Sequence, residues 1–90
     1  MFKWLNKQGV ESDRGFILQF TGRFSMEYRE GSKTLTLVVE GGISGGRAFI
    51  SVCDPIRSWD DGPVLSSSER DRIVRNIREA LEFQDLGTDI

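Results

Sequence analysis

The stretch FILQFTGRFSMEYREGSKTLTLVVE, residues 16–40, decides the fold class. Phe16, Leu18 and Phe20 alternate with Ile17, Gln19 and Thr21, the period-two signature of a strand with one better-buried face. After a turn at Thr21-Gly22-Arg23, Phe24, Met26 and Tyr28 alternate with Ser25, Glu27 and Arg29, so one face is apolar and the other charged. Arg29-Glu30-Gly31-Ser32-Lys33 has the glycine and small polar residues of a tight connection, and Leu35, Leu37 and Val39 then alternate with Thr34, Thr36 and Val38. The expected strands are Phe16–Thr21, Phe24–Arg29 and Thr34–Glu40, and links this short permit only antiparallel neighbours.

Downstream, Gly41-Gly42-Ile43-Ser44-Gly45-Gly46 breaks the pattern with glycines whose backbone entropy disfavours a strand interior, and a loop is expected there. Arg47 to Cys53 resumes β-branched and aromatic content as a fourth strand, ending near Asp54-Pro55 because proline lacks the ladder donor. Asp54 to Leu65 holds both prolines, Trp59 and the turn-forming run Asp60-Asp61-Gly62, with no period of its own, and reads as a long surface connection. Ser66-x-x-Glu69 is a capping box ahead of Ile73, Val74, Ile77, Ala80 and Leu81, which form one apolar stripe on a helix from about Ser67 to Phe83. Three i,i+4 pairs, Asp71/Arg75, Arg75/Glu79 and Arg78/Glu82, are expected to support it by about 0.2–0.5 kcal/mol each.

Upstream, Met1 to Arg14 places Phe2, Trp4, Leu5 and Val10 among polar residues, compatible with a short amphipathic turn ending at Gly9 or with an irregular arm on the core. The tail from Gly87 to Ile90 is expected to fray. Strands followed by one helix give a segregated α+β arrangement: a four-stranded antiparallel meander with a C-terminal helix packed on one face. Ninety residues fit one domain, since a chain of this size buries only roughly 60–70% of its unfolded surface and lacks apolar material for two cores.

A net charge of −2 leaves no basic surplus for phosphates, so neither nucleic acid nor, with no apolar run of about 20 residues, a membrane is the expected partner. Residues 36–90 hold six Lys/Arg against ten Asp/Glu, which favours a basic partner if a charged one exists. One cysteine, Cys53, makes no internal disulfide, and the start Met-Phe-Lys-Trp-Leu-Asn-Lys-Gln has no signal-like apolar core; the cytoplasm is the expected compartment.

The chain has no histidine, which removes the usual general base, the commonest metal ligand and every Ser-His or Cys-His pair. Cys53, at a strand end, reads as a small buried hydrophobe. Asp54, Asp60 and Asp61 lack the spacing of a calcium loop, and turn chemistry accounts for them. In Gly41-x-x-x-x-Gly46 an arginine and an alanine follow where a phosphate loop has lysine and a hydroxyl, and a strand follows where that loop needs a helix. No cofactor, metal or catalytic residue is therefore expected. Trp59 has two readings: an apolar anchor for a partner, or a lid folded back over the end of the core.

The order of β-hairpins, Ser58-Trp59-Asp60-Asp61-Gly62, then Ser66-Ser67-Ser68-Glu69-Arg70 and an Ile73/Ile77/Leu81 helix, resembles the small immunity proteins of bacterial polymorphic-toxin and contact-dependent-inhibition systems. The resemblance covers roughly residues 15–85. It implies a cytoplasmic antidote that binds one cognate toxin domain and blocks it without doing chemistry. The expected partner surface is the connection Asp54–Pro63 together with the nearby helix start, with Trp59 as anchor and Asp54, Asp60 and Asp61 as its charged surround. The alternative is a small structural or assembly subunit that pairs with a larger protein through a sheet edge.

Overall fold

A computed structural model describes residues 1–90. It is an α+β fold with one C-terminal helix, but the sheet has seven strands instead of four. In chain order these are β1 (Phe2–Asn6), β2 (Gly9–Ser12), β3 (Phe16–Gly22), β4 (Ser25–Glu30), β5 (Lys33–Ser44) and β6 (Arg47–Val52), then α1 (Ser67–Phe83) and the two-residue β7 (Gly87–Thr88). Each strand pairs with its predecessor in number; all pairs are antiparallel except β6 with β7.

The central alternation has the expected consequence. Phe16, Leu18, Met26, Tyr28, Leu35, Leu37 and Val39 point inward and are buried, while their alternates face out. On α1, Ile73, Ile77, Ala80 and Leu81 are buried with Asn76, and Val74 is half-buried. Burying each large aliphatic side chain stabilises the fold by about 1.5–3 kcal/mol. The capping box forms: Glu69 N–H donates to Ser66 Oγ (3.2 Å), and Ser66 N–H donates to Glu69 Oε1 (3.1 Å). That backbone donor holds the Glu69 carboxyl below its ordinary value.

Three expectations need correction. Met1–Arg14 is neither helical turn nor irregular arm, for it supplies the β1–β2 hairpin, whose inner strand pairs with β3 through Gly9↔Gln19, Val10↔Leu18 and Glu11↔Ile17. The apolar residues there are too few to show a period, and the neighbouring strand supplies the ladder that selects the extended state. The loop over Gly41–Gly46 shrinks to Gly45-Gly46, both at positive φ (62° and 77°), which is what a two-residue hairpin turn requires. Gly41 and Gly42 stay extended because β6 pairs with them. Finally, the tail is held: β7 pairs with Phe49 and Ile50, Asp89 Oδ1 accepts from Val52 N–H (3.1 Å), and Ile90 O accepts from Arg78 Nε (2.8 Å).

The helix makes its ion pairs with the sheet side of the molecule and not along its own surface. Arg72 binds Glu30 (2.6 Å), and Glu79 binds Arg14; none of the three expected i,i+4 pairs is a salt bridge. Glu30 also accepts from Tyr28 Oη (2.7 Å), which in turn accepts from buried Asn76 Nδ2 (3.0 Å). Burial, chiefly, pushes the Tyr28 phenol well above its ordinary value. This chain of polar bonds fixes the rotation of α1 on β4.

Because β5 pairs with β4 over Lys33–Val38 and with β6 over Val39–Ser44, the sheet turns along this one long strand. Its two ends both reach the helix: Phe2 and Trp4 of β1 meet Phe83 at ring-centroid distances of 5.4 and 5.8 Å, and β7 lies beside α1. The sheet thus curls around α1. No helix is long and apolar enough to cross a membrane.

Candidate functional site

The connection between β6 and α1 has no regular structure, yet it is pinned at several points. Trp59 is 3% exposed, stacked near Tyr28 (6.3 Å between centroids), and Lys33 Nζ lies 5.6 Å from its ring centroid. Ile56 and Leu65 are buried on either side of it. Ser58 bridges Val64, and Leu65 N–H donates to Arg57 O (2.8 Å), so the intervening segment closes on itself. Gly62 sits against the indole, where a Cβ would lie 3.2 Å from Trp59 Cβ. Trp59 Nε1 is buried without a partner in the protein.

Asp60 explains why the loop lies where it does. Its N–H donates to Thr34 O (2.9 Å), Oδ1 accepts from Thr36 N–H (2.7 Å), and Oδ2 accepts from Thr36 Oγ1 (2.6 Å). Thr34 and Thr36 share the register parity of Val38, whose carbonyl accepts from Cys53 N–H, so their backbone groups face the β6 side of β5. Strand β6 ends its pairing at Val52, and over the first half of β5 one aspartate takes the place of a neighbouring strand.

The four residues singled out for partner contact are therefore not one cluster. Trp59 points into the core, Asp60 is consumed by the edge of β5, and Asp61 is exposed at the loop tip. Exposed Asp54 lines a cleft with Arg70 and Asp89 at the start of α1. No three His, Cys, Asp or Glu side chains converge anywhere in the fold. Cys53 is exposed, contrary to its reading as a buried hydrophobe; it lies just beyond the last paired residue of β6, and Sγ reaches only Ser51 O, at 3.9 Å.

A second region carries features that the sequence pattern did not reveal. A groove of about 430 Å³ runs between the β1–β2 hairpin, the β3–β4 turn and the second half of β5, lined in part by Trp4, Lys7, Arg23, Gly41 and Ile50. Large apolar side chains stand exposed around this end: Trp4 at 51%, Phe24 at 56% and Ile43 at 76%. Arg23 lies 5.3 Å from the Phe24 ring centroid. The only local signal was the glycine content of residues 41–46 next to an otherwise β-branched strand. No family model, no curated protein and no solved structure matches this chain.

Proposed function

We propose that the protein is a non-catalytic cytoplasmic immunity protein, which binds a cognate bacterial toxin domain and neutralises it by covering a functional surface. Beside the resemblance of residues 15–85, one observation supports this reading most: the acidic connection after β6 is held rigid by the burial of Trp59 and the Asp60–Thr36 bonds. A surface fixed before binding loses less conformational entropy on association. Asp54 and Asp61 are then the contacting carboxylates, and Trp59 and Asp60 are their supports. A basic toxin domain would be drawn to such a surface by charge complementarity.

The test is rescue of growth. A toxin domain encoded beside this chain, induced in a susceptible host, should arrest growth, and co-expression of the wild-type chain should relieve the arrest. Asp54→Lys/Asp61→Lys should rescue less well while retaining the wild-type unfolding midpoint. Failure of the wild-type chain to rescue overturns the proposal. A second reading, an assembly subunit that pairs through a sheet edge, is favoured by the open backbone of β5 described next; it predicts a constitutive complex and no protection from a toxin.

A further inference from the structure

Over its first half β5 is paired with β4 on one side and clamped by Asp60 on the other; over its second half it is paired on one side only. Cys53 N–H donates to Val38 O (2.8 Å), which by alternation turns Glu40, Gly42 and Ser44 toward β6. Val39 N–H donates to Phe24 O (2.9 Å), which turns Val39, Gly41 and Ile43 toward the opposite edge. There β4 has already ended its pairing, at Ser25↔Val38, no other strand takes its place, and no loop or side-chain hydrogen bond reaches the N–H or C=O of Gly41 or Ile43. Two donors and two acceptors thus face outward at the spacing of a strand edge, beside a groove that Gly41 itself lines.

We infer that this edge takes an extended, acidic segment of a partner protein as an added antiparallel strand. The four unpaired backbone groups specify an extended backbone, because no other ligand presents donors and acceptors at that repeat. The charge of the groove specifies the sign: Lys7 and Arg23 line it, no carboxylate does, and the chain as a whole is acidic. Exposed Ile43 and Phe24 supply apolar surface for alternate side chains of the incoming strand. Glycine at 41 and 42 leaves room for close approach, since a Cβ at Gly41 would meet only Ile50 Cδ1 at 3.9 Å and one at Gly42 would meet nothing within 4 Å. The edge glycines are not required by packing inside the molecule. The inference goes beyond the proposed function, since this edge is a surface apart from Asp54 and Asp61; it rests on the chain being a binder of proteins and not on the partner being a toxin.

The experiment uses the full chain, ¹⁵N-labelled, with two probes: the blocked peptide Thr-Val-Glu-Val-Glu-Val-Thr and its counterpart with lysine for glutamate. The acidic peptide should bind, slow amide exchange at Gly41 and Ile43, and lose its advantage over the lysine peptide in about 0.5 M salt. Ile43→Pro removes only an outward N–H and should weaken binding by up to about tenfold, the effect of losing one backbone hydrogen bond, at an unchanged unfolding midpoint. Ile43→Thr keeps the edge and should bind within a few-fold of wild type, which separates backbone pairing from loss of the side chain. Gly42→Pro, on the inward-facing set, should instead damage the fold. No binding of the acidic peptide, equal binding of both peptides at low salt, amide changes confined to other strands, or an unaffected Ile43→Pro variant would overturn the inference. So would a dimer of this chain that dissociates in Ile43→Pro, since the occupant would then be a second copy. If the wild type rescues growth but the acidic peptide does not bind, the strand-edge inference falls and the immunity reading stands; if the wild type binds the peptide at this edge but rescues nothing, the reverse holds.

Discussion

Over Lys33–Val38, strand β5 has β4 along one edge and the Asp60 clamp along the other; over Val39–Ser44 it has β6 along one edge and unpaired backbone at Gly41 and Ile43 along the other. The two halves belong to one continuous strand, so the difference does not come from strand propensity. It comes from what the flanking segments do. In the first half the loop after β6 folds back, buries Trp59 and offers Asp60 as a surrogate strand. In the second half the partner hairpin β3–β4 stops short at Ser25, and on that edge the strand continues unpaired. A free strand edge is an invitation to pair with another chain, and this molecule closes one edge while leaving the other open.

The largest expected effect tests whether the sealed half depends on Trp59. Trp59→Ala should destabilise the protein by about 3–5 kcal/mol, read as a lower urea midpoint, because it empties a buried site beside Tyr28 in the core cluster that also holds Ile56 and Leu65. An unchanged midpoint would mean that the indole is not core and would return it to the role of anchor. Next in size is Asp60→Ala, which removes the two carboxylate bonds to exposed Thr36 and should lower stability by about 1–2 kcal/mol. Hydrogen exchange should then accelerate at Thr36 while Gly41 and Ile43 exchange as before; equal change at both would merge the two halves into one unit.

Two glycine substitutions sharpen the contrast further. Gly45→Ala places a Cβ at φ 62° and should destabilise by about 1–2 kcal/mol. Gly41→Ala meets only an ordinary contact and should instead raise stability, by about 0.5–1 kcal/mol, through restriction of the unfolded chain. If both variants lose stability equally, Gly41 is held by something beyond the hairpin ladder.

The smallest effect concerns Tyr28, on the sealed side. Burial raises its folded-state pKa above the ordinary value near 10, so its neutral form is favoured by folding; that stability is present below pH 10 and is lost as the pH rises past the unfolded value. Tyr28→Phe should therefore show a shallower loss of stability above pH 10 than the wild type, measured by denaturant midpoints across that range. A steeper loss would contradict the burial of the phenol.

Much of the fold was legible before any tertiary contact was known. The alternation in residues 16–40 placed β3, β4 and the start of β5, and the capping box with the Ile73/Ile77/Leu81 stripe placed α1 at Ser67–Phe83. β1 and β2 are short, with apolar residues too sparse to show a period, and β7 is two residues long; their strand state comes from neighbours distant in sequence. Of the candidate site, the residue types were visible but their directions were not. Trp59 on an acidic loop carries no local mark of whether it turns in or out, and nothing near Asp60 in sequence indicates that Thr36, 24 residues earlier, will bind it.

The sequence by itself determined which residues share a face, because side-chain alternation and helical spacing are set by local backbone geometry. It likewise determined the charge, the lack of histidine and the helix start. Only the tertiary structure decided which strand edges are covered, where Asp54, Trp59, Asp60 and Asp61 point, and that Cys53 is exposed. The physical reason is that a backbone N–H or C=O has no sequence identity: every residue but proline carries both, and whether they are paired depends on what the rest of the chain brings alongside.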